Sequence, residues 1–302
     1  MFFRNYGVII KNAGESIEKV TNHGITLELL ASYDGTEVIK QTLQTSSWWA
    51  LGPEDGWNAL EFLFVLSGIV SVNIENEKID LRPGDYLKSL PIKDVLMIQA
   101  KETSELLYIT SQPVFHNFSG TVDKIKKIVE EVEEKDGYTK DHCMRIMKLS
   151  MALGQKLGLS SHDLYRLNLA SYLHDVGKIK IPDHILMKPG NLTEEEWSII
   201  KNHPTYGKEI LEETNLPLLV DAAKIVEQHH ERYDGSGYPK GLKGDEIMIE
   251  AAIIAVADSY DAMTSDRVYR KAMSKERVIY EIIQGSGSLY HPDVVQAFLA
   301  II

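Results

Sequence analysis

Cysteine is almost absent: Cys143 stands alone in 302 residues, so no internal disulfide can form and a reducing compartment suits the chain. Basic residues are in deficit, 32 Lys and Arg against 44 Asp and Glu, for a formal charge of −12. That balance argues against a broad electrostatic grip on polymeric nucleic acid or on an anionic membrane. A small anion remains possible as a ligand, because a metal or a few local cations can invert the field inside one site. Long apolar runs are missing too. The stretches around 60–72 and 251–257 are too short or too interrupted to span a bilayer. The segment Met1–Ile10 lacks the shape of a signal peptide, and the expected location is the cytoplasm. Repeats and low-complexity tracts are also lacking, and 44% hydrophobic with 25% charged residues is ordinary globular composition. The length suggests two domains.

What is present divides in two. Up to Phe118 the chain reads as short strands. Ile25–Leu30, Val38-Ile39, Phe62–Leu66, Ile69–Ile74, Lys78–Leu81, Val95–Gln99 and Glu105–Thr110 alternate with turn signals such as Asp34-Gly35 and Pro83-Gly84-Asp85. Many short strands at this spacing predict a sandwich or barrel. After Gly120 the period changes. Val122, Ile125, Val129 and Val132 recur at helical spacing, with Lys and Glu between them. A connecting helix to about residue 136 is expected, followed by further helices broken at Gly158, Pro182, Pro189-Gly190, Pro204, Pro217 and 234–244.

Within the β half, Glu61, Gly68 and Leu81-Arg82-Pro83-Gly84-Asp85 resemble the cupin double-stranded β-helix. The resemblance implies a small barrel over about 25–112. Cupin enzymes hold a metal with histidines where this chain has Asp55, Trp57 and Leu87, so no such site is expected here. Trp48, Trp49 and Trp57 read either as barrel packing or as a ligand cage or dimer surface. This half is expected to act as a sensor or dimerisation module.

The helical half concentrates histidine. His142, His174, His203, His229 and His230 fall on expected helices or their ends, Asp175 follows His174, and Asp258 and Asp261 are three apart on one helix face. Imidazole nitrogens and carboxylate oxygens suit Fe, Mn, Zn or Ni. A carboxylate can bridge two ions, which makes Asp175 the natural bridge, and two ions together could clamp a phosphate. Singly, each histidine is also compatible with an ordinary core or surface position. Cys143, beside His142, reads as core.

The surrounding sequence is more specific. His174-Asp175-Val176-Gly177-Lys178, Lys188-Pro189-Gly190, His203-Pro204, His229-His230-Glu231, Asp234-Gly235-Ser236-Gly237-Tyr238-Pro239 and Asp258-Ser259-Tyr260-Asp261-Ala262-Met263-Thr264 occur in order. Together they resemble the HD-GYP cyclic di-GMP phosphodiesterases of the HD phosphohydrolase superfamily, over about 120–302. The resemblance implies an all-α HD-GYP bundle. The expected organisation is therefore an all-β cupin-like barrel (1–118), a connecting helix (119–136) and a phosphodiesterase domain (137–302).

The resemblance also implies a ligand set: His142, His174, Asp175, His203, His229, His230 and Asp258 holding two divalent ions, Fe or Mn. It makes Lys178, with Asp175, catalytic, the lysine stabilising charge on the leaving oxygen. Gly237, Tyr238, Asp261, Arg267 and Lys271 are the expected substrate contacts, with Asp261 orienting a ligand or a water rather than binding metal. Tyr138 stands where some family members carry a third-metal acid, so two ions are expected. His291 reads as a capping or surface residue.

The implied reaction is hydrolysis of cyclic di-GMP to linear pGpG, and to GMP on a second cut, by a metal-bound hydroxide. The alternatives are another cyclic dinucleotide as substrate, or a catalytically weak cyclic di-GMP receptor. The expected partners are the cyclic dinucleotide, a second copy of the chain as a homodimer, and signalling proteins at the Gly-Tyr-Pro loop. Neither polymeric nucleic acid nor a membrane is expected.

Overall fold

The computed structural model describes residues 2–3, 8–22, 24–53, 56–74, 77–136, 142–214, 216–265 and 271–302. Two compact units divide the chain, 1–126 and 127–302.

In the first unit, β1 (Phe2–Phe3) and β2 (Val8–Ile9) form a small ribbon. The strands that follow are β3 (Glu18–Asn22), β4 (Ile25–Tyr33), β5 (Thr36–Leu43), β6 (Trp48–Leu51), β7 (Glu61–Ser67) and β8 (Val70–Ile74). Then come β9 (Glu77–Leu81), β10 (Tyr86–Ser89), β11 (Leu96–Ala100) and β12 (Ser104–Thr110). They build a six-stranded sheet, β10-β7-β12-β5-β4-β3, and a four-stranded sheet, β6-β11-β8-β9. All pairs are antiparallel.

Period-2 alternation sets the inner face. Glu37, Ile39, Gln41 and Leu43 of β5 are buried, as are Ser104, Leu106, Tyr108 and Thr110 of β12, while their neighbours are half-exposed. Leu29, Ile39, Leu63 and Leu106 from one sheet share a core with Trp49, Val70, Val72 and Ile98 from the other. Two antiparallel sheets closed on one core is the architecture that the cupin resemblance implies. Asp34 and Gly35, both at positive φ, make the two-residue hairpin joining β4 to β5.

Tryptophan packing accounts for Trp49, which meets Tyr108 edge-on with centroids 5.3 Å apart, and Trp57 packs against the same core. Among the buried polar side chains, the Gln41 amide has no hydrogen-bond partner, whereas Glu61 is satisfied locally. Glu61 accepts from Tyr108 Oη at 2.7 Å and Ser89 Oγ at 3.0 Å. Of the cupin ligand positions, Trp57 and Leu87 are half-buried and hydrophobic; Asp55 lies outside the described residues.

Helix α1 (Phe115–Asp136) begins against the β unit, where Glu37 accepts the Val114 and Phe115 amides, each at 2.8 Å. Acidic oxygens at a helix start satisfy donors that have no helical partner. Ile125, Val129 and Val132 are buried along it.

The second unit is helical: α2 (His142–Lys156), α3 (Ser161–Leu173), α4 (Asp183–Leu186), α5 (Glu194–Ile200), α6 (His203–Glu213), α7 (Pro217–Gln228), α8 (Ile249–Thr264), α9 (Lys275–Gln284) and α10 (Pro292–Leu299). Ser160 caps α3, Thr193 and Glu196 form a capping box on α5, and His291 Nδ1 accepts the Asp293 amide to cap α10. The apolar α8 packs against α2, α3, α7, α9 and α10 and so occupies the centre. Cys143 is buried, as its core reading predicts. No helix among the described residues is long and apolar enough to cross a membrane.

Candidate metal centre

Five histidines and two aspartates from α2, α6, α8, the end of α3 and the end of α7 converge in the second unit. His174 and Asp175 follow α3 and lead into a 3-10 turn, Val176–Lys180. That turn lies so close to the start of α6 that a Cβ on Gly177 would fall 1.9 Å from the His203 carbonyl oxygen. Only glycine permits this approach, and the approach brings Asp175 to His203.

Backbone geometry also fixes which nitrogen each imidazole offers. His174 Nδ1 lies 2.8 Å from Ser171 O, His203 Nδ1 2.8 Å from Ile200 O, and His229 Nδ1 2.6 Å from Val226 O. A carbonyl only accepts, so each Nδ1 carries a proton and each Nε2 is turned inward. The lone pairs converge: His203 and His229 Nε2 are 3.4 Å apart. His142 is held by a side chain instead, its Nδ1 donating to Asp261 Oδ2 at 2.7 Å.

The potential ligand atoms form two groups, Asp175 with His203, His229 and His230, and His142 with His174 and Asp258; within each group they lie within 4.8 Å of one another. Asp175 faces both. Its Oδ1 is 3.4 Å from His203 Nε2 and its Oδ2 is 3.2 Å from His174 Nε2. His174 is fully buried, and its Nε2 has no hydrogen-bond partner. A buried, inward Nε2 beside a carboxylate, with Nδ1 tied to a backbone acceptor, is the arrangement of a metal-ligating histidine. The cluster therefore fits a divalent metal. All seven residues expected as ligands fall in these two groups.

Electrostatics keep most of the rings neutral. Burial above all drives His203 down to about 3 and His229 down to about 4, and it lowers His230 well below the usual range. Burial opposes charge on His174 as well, but the Asp175 carboxylate overrides it and raises this ring to about 9. Burial likewise works against ionised Asp175, and Lys178 with the neighbouring histidines holds it well below the ordinary carboxylate range. In the metal-free chain the ionised Asp175 pairs with a protonated His174, a proton that a bound cation would displace, while His203, His229 and His230 stay neutral.

Lys178 sits on the 3-10 turn, buried, with Nζ 2.9 Å from Asp175 Oδ2. The Tyr238 ring lies 4.9 Å from that of His230, and the Tyr238 amide donates to His230 O at 3.2 Å. Burial raises the Tyr238 phenol, so it remains a donor at neutral pH.

The other expected contacts have the following surroundings. Asp261 is 4% exposed. Both its oxygens are taken by His142 and by the Arg145 guanidinium, whose Nη2 donates to Oδ2 at 2.9 Å. It holds His142, a ligand candidate, in place, which accords with the orienting role expected of it. Gly237 is required by the chain's own packing, since a Cβ there would come within 2.3 Å of the Arg232 nitrogen. Lys271 is exposed, and no described contact joins it to the cluster. Arg267 and Tyr138 lie outside the described residues.

The sequence reading missed Arg145, although it stands three residues after His142 on the same face of α2. It also missed Lys201, whose Nζ is 5.7 Å from the centre of the Tyr238 ring. Asp261→Asn is expected to weaken metal binding ~10–100-fold, because it disturbs the partner that orients His142. Competition with a chelating indicator reads this directly, and unchanged affinity would show that His142 needs no such holder.

Comparison with known proteins places this geometry. The HD domain family model matches residues 126–294. A cyclic di-GMP phosphodiesterase of Thermotoga maritima is 37% identical over 284 residues, which cover 94% of this chain and 73% of that protein. The cyclic di-GMP phosphodiesterase response regulator RpfG of Xanthomonas campestris pv. campestris is 39% identical over 177 residues, 59% of this chain and 47% of its own length. A 3'3'-cGAMP-specific phosphodiesterase 2 of Vibrio cholerae is 36% identical over 205 residues, 68% of this chain and 36% of its own. The chain thus spans most of the Thermotoga relative and less than half of the other two.

Proposed function

The chain belongs to the HD domain family, and on that premise we propose that it is a metal-dependent phosphodiesterase that opens cyclic di-GMP to linear pGpG. The observation that carries the reading is Asp175, with one carboxylate oxygen toward His203 and the other toward His174. A carboxylate so placed can join two ions. Asp175, His203, His229 and His230 would hold one, and His142, His174 and Asp258 the other, Asp175 serving both. Mixed nitrogen and oxygen donors suit Fe or Mn. Two such ions would supply Lewis-acid polarisation of a phosphodiester and activation of water at neutral pH.

The chain's own residues supply the rest. Net hydrolysis adds one water across a P–O bond, leaving a phosphate monoester and a free hydroxyl, so the leaving oxygen needs a proton or a cation. Lys178 Nζ, 2.9 Å from Asp175, is a cationic donor beside the ligand set and stabilises charge on that oxygen. Tyr238, still protonated, donates to a non-bridging phosphate oxygen. Lys201, beside the Tyr238 ring, adds positive charge for a substrate that carries two phosphodiesters. Recognition thus depends on local cations, and the overall charge of −12 is no obstacle to it. The β unit acts as a sensor or dimerisation module in this reading.

A second reading changes only the substrate, to a mixed cyclic dinucleotide, and the Vibrio cholerae relative named for 3'3'-cGAMP favours it. Metal analysis of the purified protein, followed by chromatography of products from cyclic di-GMP and 3'3'-cGAMP after loading with Mn or Fe, tests both. Conversion of cyclic di-GMP to pGpG is the expected result. Conversion of 3'3'-cGAMP alone would select the second reading. Tight binding without cleavage would make the chain a receptor.

A further inference from the structure

Glu231 directly follows the His229-His230 pair, yet both its carboxylate oxygens are taken by backbone amides. It is 3% exposed. Its carboxylate closes a loop: Oε1 accepts the Lys240 amide at 2.7 Å, and Oε2 accepts the Leu242 amide at 3.0 Å. Glu227, also buried, reinforces the hold by accepting from Lys240 Nζ at 2.7 Å.

The loop so gripped carries Tyr238. On its N-terminal side, Gly237 packs directly on the Glu231–Arg232 backbone, where a Cβ would approach the Arg232 nitrogen within 2.3 Å. The Tyr238 amide donates to His230 O at 3.2 Å. On the C-terminal side Glu231 takes the amides two and four residues further on. Tyr238 therefore sits on a segment pinned at both ends to the residue beside a metal-ligand candidate, which sets its ring 4.9 Å from His230.

We propose that Glu231 is a positioning residue that fixes the 232–242 loop and, through it, places the Tyr238 hydroxyl against the substrate phosphate. The inference rests on the phosphodiesterase reading for its catalytic consequence, but the pinned loop can be tested without turnover. Glu231 touches neither substrate nor metal. It acts by holding two backbone donors that a loop of this length would otherwise turn toward solvent, and small displacements of a reacting group cost large rate factors.

The test uses the full chain, metal-loaded, as wild type, Glu231→Ala, Glu231→Gln, Tyr238→Phe and the Glu231→Ala/Tyr238→Phe double variant. Amide hydrogen exchange is the readout independent of activity. In Glu231→Ala, peptides covering 232–242 should exchange at least ~10-fold faster than in wild type, while bound metal per chain stays the same. Glu231→Gln, which retains one acceptor oxygen, should fall between them, and it carries the test if the alanine variant does not fold.

With cyclic di-GMP as substrate, kcat should fall ~10–100-fold in Glu231→Ala, and the double variant should be no slower than Tyr238→Phe alone. Unchanged loop exchange would overturn the proposal. So would rate losses that multiply in the double variant, because Glu231 would then act by a route other than Tyr238. If wild type shows no turnover while the exchange result holds, the phosphodiesterase reading fails and the positioning of the loop stands.

Discussion

Replacing Asp175 with Asn should remove bound metal and lower turnover at least ~1000-fold, about 4 kcal/mol of transition-state stabilisation. Asp175 is a carboxylate that faces both ligand groups: its oxygens lie 3.4 Å from His203 Nε2 and 3.2 Å from His174 Nε2. The amide keeps the size of the side chain but deletes the charge and turns one oxygen into a nitrogen donor. That donor would either engage an imidazole lone pair that the metal needs or face an incoming cation that it cannot bind. The substitution should also free Lys178, whose Nζ is 2.9 Å from Oδ2, to swing away from the leaving group. His174→Ala, by contrast, strips a ligand from one group only. Metal analysis should therefore find a greater loss in Asp175→Asn than in His174→Ala. Equal loss would mean that the two groups do not share Asp175.

The contrast between legible and hidden features follows from how far each constraint reaches along the chain. Seven ligand candidates could be read because their chemistry belongs to residue type, and the local signature around each marks it. Asp261 could be read only in part: an orienting role is expected from the sequence, but not the partners through which it acts. Its spacing from Asp258 suggests a shared helix face, whereas its task comes from His142 and Arg145, more than a hundred residues earlier. Gly237 shows the same limit: a glycine before Tyr238 suits an anion-binding turn, and only the fold reveals that its own chain fills the space. Gly177 is needed because of the His203 carbonyl, a contact no local pattern encodes.

In the β unit, alternation marks β5 and β12 plainly, since one face is buried and the other is not. It fails for β6, where Trp48, Trp49 and Leu51 are all buried. It fails too for β10, an edge strand with no buried residue. Consecutive β7 and β8 enter different sheets, which is a decision of tertiary packing and not of local period.

Acid should destabilise the metal-free protein well above the pH at which carboxylates titrate. His203 and His229 are held neutral down to about 3 and about 4, and His230 is lowered with them. In the unfolded chain such rings titrate near ~6.5. Below that pH the unfolded state binds protons that the folded state refuses, so stability falls as pH falls, by up to about 1.4 kcal/mol per pH unit for each ring. His174 acts in another window. Raised to about 9, its contribution is complete below the unfolded value and is lost only as pH climbs through about 9.

Asp261, lowered to about 2 against burial by its bonds to His142 and Arg145, and Asp175, lowered by Lys178 and its histidine neighbours against the same opposition, lose their contributions only below the ordinary carboxylate range. Between pH 6.5 and 4.5 the three lowered imidazoles therefore govern the slope. Thermal unfolding of chelator-treated protein should show Tm dropping steadily from pH 7 to pH 5. A His229→Leu variant, which removes one proton-binding difference, should show a shallower drop. A Tm that stays level or rises over that range would mean that these rings already carry protons in the folded state, and would leave the cluster without the lone pairs that a metal needs.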